Sequence, residues 1–192
     1  MDKIDVKNVI VSFCGQYKSE NYKSFIKIVS KKSINIIEVQ AGDKISIEKN
    51  LAINILWPSK SFYIDENEIN NNSIVCKLVY KKFSILFTGD IEEVAEKSIC
   101  NLYDKELEST ILKVGHHGSK TSSSENFIKK IHAKYALIGV GRDNKYSHPS
   151  DIIIDRLRQY CCTIYRTDEN GETDFSVDKN GNITKIRCML KR

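Results

Sequence analysis

Proline is almost absent, with two residues in 192, and there is no Ser/Gly-rich tract, which argues against a flexible linker. No stretch approaches the ~20 apolar residues that a membrane helix requires. The N-terminus, Met1-Asp2-Lys3-Ile4-Asp5, lacks an apolar core, so no signal peptide is expected. None of the six cysteines makes a CxxC pair, and Cys161-Cys162 are adjacent, which suits neither a zinc knuckle nor an easy disulfide. A reducing compartment follows, and the chain as written is expected to be soluble and cytoplasmic. A large excess of one charge sign is also lacking. A net +5 allows an anionic partner but does not by itself indicate nucleic-acid binding.

What is present is an ordinary globular composition, 41% hydrophobic, enough for one domain with a core or one lobe of a larger domain. A buried strand is expected at Val9–Phe13, then a helix through Tyr22, Phe25, Ile26 and Val29, with Ser19 or Asn21 as N-cap. Strands follow at Ile34–Val39, around Ile45 and Ile47, and from Ala52 to Trp57, where Pro58 stops the run. The tract from Asp65 to Asn72 reads as a loop, and Ser73–Tyr80 with Phe83–Asp90 as a hairpin. Helix and strand then alternate. Helices are expected near Ile91–Leu102, at Ser123–Ile131 capped by the serine cluster, and at Pro149–Tyr160 with proline in the first turn. Strands are expected at Thr110–Val114, Tyr135–Val140, Thr163–Thr167, Thr173–Val177 and Asn182–Arg187, the last two joined by the turn Asp178-Lys179-Asn180-Gly181. Early strands and later strand–helix units imply an α/β layered fold, with no internal repeat and no domain boundary over residues 1–192.

Two apolar runs carry the chemistry. Phe83-Ser84-Ile85-Leu86-Phe87-Thr88-Gly89 delivers Asp90, and Ile111-Leu112-Lys113-Val114-Gly115 delivers His116 and His117. In each, a glycine lets the chain turn so that a metal-ligand residue lies beyond the strand end. A carboxylate and an imidazole delivered this way suit zinc or manganese. Asp90 has a second reading, as N-cap of the following helix. Consecutive side chains diverge, so one histidine would bind metal while the other contacts substrate or an orienting carboxylate. Ser119, Lys120, Thr121 and the serines after them would cradle phosphate with backbone amides at a helix N-terminus, or simply cap that helix. His148 lies between a strand and a helix, and in a parallel sheet would match His116; a solvated loop histidine is the alternative. His132 is expected at the surface.

Taken in order, Asn70-Asn71-Asn72-Ser73, Leu86-Phe87-Thr88-Gly89-Asp90, Leu112-Lys113-Val114-Gly115-His116-His117-Gly118-Ser119, Tyr146-Ser147-His148-Pro149-Ser150 and Tyr165-Arg166-Thr167-Asp168 resemble the metallo-β-lactamase-fold domain of the ComEC competence proteins. The resemblance covers roughly Val9 to Ile186. It implies an αββα sandwich with a two-metal hydrolytic site that degrades one strand of incoming DNA, in a membrane-associated parent. By the same resemblance Asp90 would bridge the metals, His116 would be the late metal-binding histidine, and His117, Asn72, Ser119 and His148 would line the site. Water activated by the metals would attack phosphorus, with the cations stabilising attacking and leaving oxygens.

The departures from that family are specific. An Asp-x-Gly-Gln-Gly-Asp strand end and a His-x-Asp-x-Asp-His segment, which hold most of both metals, do not occur here. Cys14-Gly15-Gln16-Tyr17 stands where relatives often carry another histidine, and Cys14 is either a substitute ligand or a core or loop thiol. The sequence therefore reads as an incomplete domain lacking its N-terminal metal-binding segment, holding zinc or manganese weakly and, alone, showing little nuclease activity. Two functions compete. One is a ComEC-type phosphodiester hydrolase acting with the missing half of the domain or a ComEC-like membrane channel. The other is a catalytically inactive remnant acting as an interaction or DNA-binding module.

Overall fold

A computed structural model describes residues 4–13, 20–160 and 163–189. Cys14, Ser19, Cys161 and Cys162, weighed above as ligand, cap or disulfide partners, lie outside the described residues. The chain opens with β1 (Asn8–Ser12), α1 (Glu20–Lys31) and β2 (Asn35–Val39), and β1 pairs with β2 in parallel. The first of these strands was expected to be buried. Instead, along β1 and β2 only Ser12 and Val39 are buried, and Ile10, Ile36 and Ile37 are exposed. The apolar run fixed strand type but not burial, since β-branched residues favour extended backbone whether or not a layer covers them.

Next come β3 (Lys44–Glu48), β4 (Leu51–Trp57), α2 (Glu68–Asn71), β5 (Val75–Tyr80) and β6 (Phe83–Phe87). The short helix α2 replaces part of the loop expected at Asp65–Asn72. From β6 onward strands and helices alternate: α3 (Glu93–Leu102), β7 (Ile111–Lys113), α4 (Glu125–Ile131), β8 (Tyr135–Ile138), α5 (Asp151–Tyr160) and β9 (Thr163–Arg166). A short α6 (Thr167–Asn170) leads into the hairpin β10 (Glu172–Val177) and β11 (Ile183–Met189).

Strands β3 to β9 form one seven-stranded mixed sheet in chain order. Pairing is antiparallel from β3 to β6 and parallel from β6 to β9. Direction changes follow the connections: two-residue turns return β3 to β4 and β5 to β6, the longer segment carrying α2 returns β4 to β5, and each of α3, α4 and α5 carries the chain back to the same starting edge.

Alternation along the strands divides the core in two. Leu86, Leu112 and Ala136 face one way and pack with Ala95 and Ile99 of α3, Phe127, Ile128 and Ile131 of α4, and Ile153 and Leu157 of α5. Phe83, Ile111 and Tyr135 face the other way, against Phe175, Val177, Ile183 and Ile186 of the β10–β11 hairpin. The sheet thus has helices on one face and a two-stranded hairpin on the other. Each fully buried Leu or Ile contributes ~1.5–3 kcal/mol, so the helical face dominates stability. Trp57 anchors one end of it, fully buried with Nε1 donating to the Asn71 carbonyl at 2.7 Å. Among the described residues no helix is long and apolar enough to cross a membrane.

Candidate functional site

Strands β6, β7 and β8 are parallel neighbours, so the loops that follow them open on one edge of the sheet, where α/β proteins place ligands. Asp90 follows β6, His116 and His117 follow β7, and His148 lies in the loop after β8. Cross-links hold these loops in register. Thr88, buried, donates from Oγ1 to the Lys113 carbonyl at 2.8 Å, and the His116 amide donates to the Gly89 carbonyl at 3.0 Å. Asp90 does not cap a helix: α3 begins at Glu93 with Glu92 in the cap position.

The ring nitrogen within 4 Å of the Asp90 carboxylate belongs to His117: Nε2 is 3.9 Å from Asp90 Oδ1. His117 Nδ1 lies 2.6 Å from the Gly139 carbonyl. A carbonyl can only accept, so Nδ1 carries a proton, and Nε2 is the ring nitrogen that faces Asp90. His116 turns to a different carboxylate. Its Nδ1 is buried without a hydrogen-bond partner, 3.6 Å from Glu92 Oε1. Glu92 also accepts from Thr121 Oγ1 at 2.9 Å, and Thr121 Oγ1 lies 3.1 Å from Ser119 Oγ. The divergence expected of consecutive histidines is therefore present, one ring on Asp90 and the other on Glu92.

Both histidines adopt left-handed backbone, with φ of 46° and 55°. For non-glycine residues this costs roughly 1–2 kcal/mol each, the kind of strain that collects at functional sites. Gly118 completes the turn at φ +82°, and a Cβ there would lie 2.5 Å from Pro149 Cβ. Contact with Pro149, together with the Ser150 amide donating to the Gly118 carbonyl at 3.0 Å, docks the His148 loop on the His116–His117 loop. Gly118→Ala should therefore destabilise the protein by about 1–3 kcal/mol. An unchanged urea midpoint would refute this account of the turn.

His148 meets His116 edge-on at 6.0 Å between ring centroids, and Tyr146 stacks on it at 5.8 Å. Burial, and then the facing His116 and His117, hold the His148 ring below the usual histidine range.

Other expected positions are placed differently. Asn72 is fully buried and donates from Nδ2 to the carbonyls of Ile64 and Glu68, each at 2.8 Å, so its amide is engaged in its own turn. Ser119 is buried in the Thr121–Glu92 network. Lys120 is exposed. In the serine cluster, two of the backbone amides are already engaged. The amides of Ser123 and Ser124 donate to the carboxylate of Glu96 on α3, the Ser124 contact at 2.7 Å. The serine hydroxyls also do not cap α4, since Ser124 in the cap position makes no side-chain cap bond. Glu96 takes that role, which no spacing in the sequence signals. His132 is exposed, as expected.

Lys113 is a further site residue that the sequence reading passed over. Its Nζ donates to the Val114 carbonyl at 2.8 Å, and its Cε lies 3.4 Å from where a Gly139 Cβ would stand. Burial lowers its pKa, while the Asp90 charge acts the other way. Its position inside the strand run Ile111–Lys113 disguised it as one more strand residue.

A divalent ion can be tested against these donors. The 3.9 Å between Asp90 Oδ1 and His117 Nε2 is shorter than two ligand bonds of ~2.1 Å laid end to end, so the two can share an ion. Among the described residues, however, no group of three or more His, Cys, Asp or Glu is arranged to hold one. The donor pair fits a weak site and falls short of a hydrolytic centre.

The mixed sheet and its histidine- and carboxylate-bearing edge define a layered α/β protein with a polar site at the strand ends. No protein-family model matches the chain. It is 31% identical over 172 residues to ComE operon protein 3 of Bacillus subtilis (strain 168), covering 88% of this chain and 21% of that protein. It is 35% identical over 126 residues to Competence protein ComA of Neisseria gonorrhoeae, covering 66% of this chain and 18% of that protein. Recombination protein 2 of Haemophilus influenzae is 34% identical over 103 residues, covering 54% of this chain and 13% of that protein. These similarities support a ComEC-like competence-protein family, of whose members the chain spans about a fifth or less.

Proposed function

We propose that the chain serves DNA uptake in competence, as the part of a ComEC-like protein that binds DNA and contributes to metal-dependent hydrolysis of a phosphodiester on a metallo-β-lactamase-like scaffold. The observation that carries this reading is the Asp90–His117 pair, with Nδ1 of His117 held on the Gly139 carbonyl and Nε2 aimed at the carboxylate. A divalent cation, zinc or manganese, would supply Lewis-acid polarisation and charge neutralisation at a phosphoryl oxygen. Asp90 and His117 would hold it, with His116 and Glu92 close by. Lys113, half-buried on the same strand edge, adds positive charge opposite the negative charge of a phosphodiester. Because two close donors bind a metal weakly, the remaining ligands of a hydrolytic centre would come from another polypeptide segment.

A second reading, a DNA-binding module without catalysis, is favoured by the absence of a third clustered ligand among the described residues. Binding and cleavage of a labelled oligonucleotide, with and without Zn²⁺ or Mn²⁺, separate the two. Metal-dependent cleavage lost in Asp90→Ala supports hydrolysis. Binding without cleavage under every metal, also after a segment carrying the Asp-x-Gly-Gln-Gly-Asp and His-x-Asp-x-Asp-His motifs is added in trans, supports the module. Neither binding nor cleavage refutes both. For the binding itself, Lys120→Ala should weaken affinity and reduce the slope of log affinity against log salt by about 1. An unchanged slope would make Lys120 a solvated residue with no phosphate contact.

A further inference from the structure

We propose that Tyr146, stacked on His148 and flanked by Lys145, is a base-stacking platform that seats one nucleotide of a single strand beside the Asp90–His117 pair. The inference deepens the DNA-binding reading above and rests on it.

Tyr146 is 66% exposed, the most exposed aromatic among the described residues. Exposure alone would mean little, since isolated surface aromatics are common. Here the ring is held in place. It lies nearly parallel to the His148 ring, 22° between planes and 5.8 Å between centroids, and Lys145 Nζ stands 4.9 Å from its centroid. His148 in turn meets His116 edge-on. A series of ring contacts, stacked at Tyr146–His148 and edge-on at His148–His116, therefore runs from solvent to the histidines of the site.

The loop that presents it is pinned by one residue. Asn144 donates from Nδ2 to the carbonyls of His148, at 2.7 Å, and Gly141, at 3.2 Å, and its Oδ1 accepts from the His148 amide at 3.0 Å. Ser147, at φ +54°, turns the chain between Tyr146 and His148. A ring ordered before binding loses little conformational freedom when a base stacks on it.

The chemistry selects the ligand class. In a duplex each base already stacks on its neighbours, so an exposed aromatic face gains only from an unstacked base. Proteins that hold single strands combine such rings with adjacent cations for the phosphates. Tyr146 supplies the ring and Lys145 the cation, which can move off the tyrosine face when a base arrives.

The test is fluorescence anisotropy of the 192-residue chain with three labelled probes: a single-stranded oligothymidylate, a duplex of equal length, and an abasic strand with the same number of phosphates. Tyr146→Ala should weaken single-strand binding by about 5- to 100-fold, the span expected for one base stack. Tyr146→Phe should bind like wild type, and the abasic strand should bind wild type and Tyr146→Ala equally. Circular dichroism checks the fold, and so exposed a side chain leaves the core intact. Single-strand binding unchanged in Tyr146→Ala overturns the platform and leaves DNA binding standing, as does an equal loss on the abasic strand. Wild type that binds none of the three probes overturns the DNA-binding reading and the platform with it.

Discussion

Asp90→Ala is expected to lower the affinity of the chain for Zn²⁺ or Mn²⁺ by more than ~100-fold, beyond the ~10–100-fold that follows loss of a residue that only orients a ligand. Deleting the carboxylate leaves His117 Nε2 as a lone donor, and one imidazole does not compete with water for a divalent ion. His117→Ala should cost about as much, because it removes the other member of the 3.9 Å pair. His116→Ala should cost less, since its buried Nδ1 faces Glu92 and not Asp90. Isothermal titration of the three variants with each metal decides the assignment. A larger loss in His116→Ala than in His117→Ala would return the ligand role to His116, as the family resemblance implies. All three variants sit on loops outside the core, so their melting temperatures should stay close to wild type.

The second large effect is on stability. Glu96 is buried, and its carboxylate accepts the amides of Ser123 and Ser124 ahead of α4. Glu96→Ala would leave those donors unpaired, at a cost of about 1–3 kcal/mol per amide, and would loosen the segment joining the His116–His117 loop to α4. Burial pushes the Glu96 carboxyl above its usual 4.5, outweighing the Ser124 and Ser123 hydrogen bonds that pull it down. The folded state therefore keeps a proton that the unfolded chain releases as pH rises past 4.5. Across that window the unfolded state binds fewer protons, so this group's stability contribution is complete below 4.5 and declines until pH passes the raised folded value. Glu96→Gln cannot titrate and should flatten that decline. Urea unfolding of wild type and Glu96→Gln in steps upward from about pH 4 measures it. Parallel pH profiles for the two proteins would refute the role of burial at Glu96.

The sequence by itself determined the order and type of nearly every element, because alternation along Val75–Tyr80 and Phe83–Phe87 and helical spacing in Glu93–Leu102 and Asp151–Tyr160 are local properties. It also determined that Asp90, His116, His117 and His148 follow strands, since a glycine or a loop breaks each apolar run just before them. Only the tertiary structure decided which side chains meet. His117 reaches Asp90 because two left-handed residues at 116 and 117 send neighbouring rings to different carboxylates. Glu92, Glu96 and Lys113 enter the site region through contacts across 25 to 29 residues of chain, with no spacing to announce them. The same holds for burial. The β1–β2 pair and the hairpin-covered strands carry similar β-branched runs, yet one stays exposed and the other is enclosed, because burial depends on the layer packed against a strand, not on its own residues.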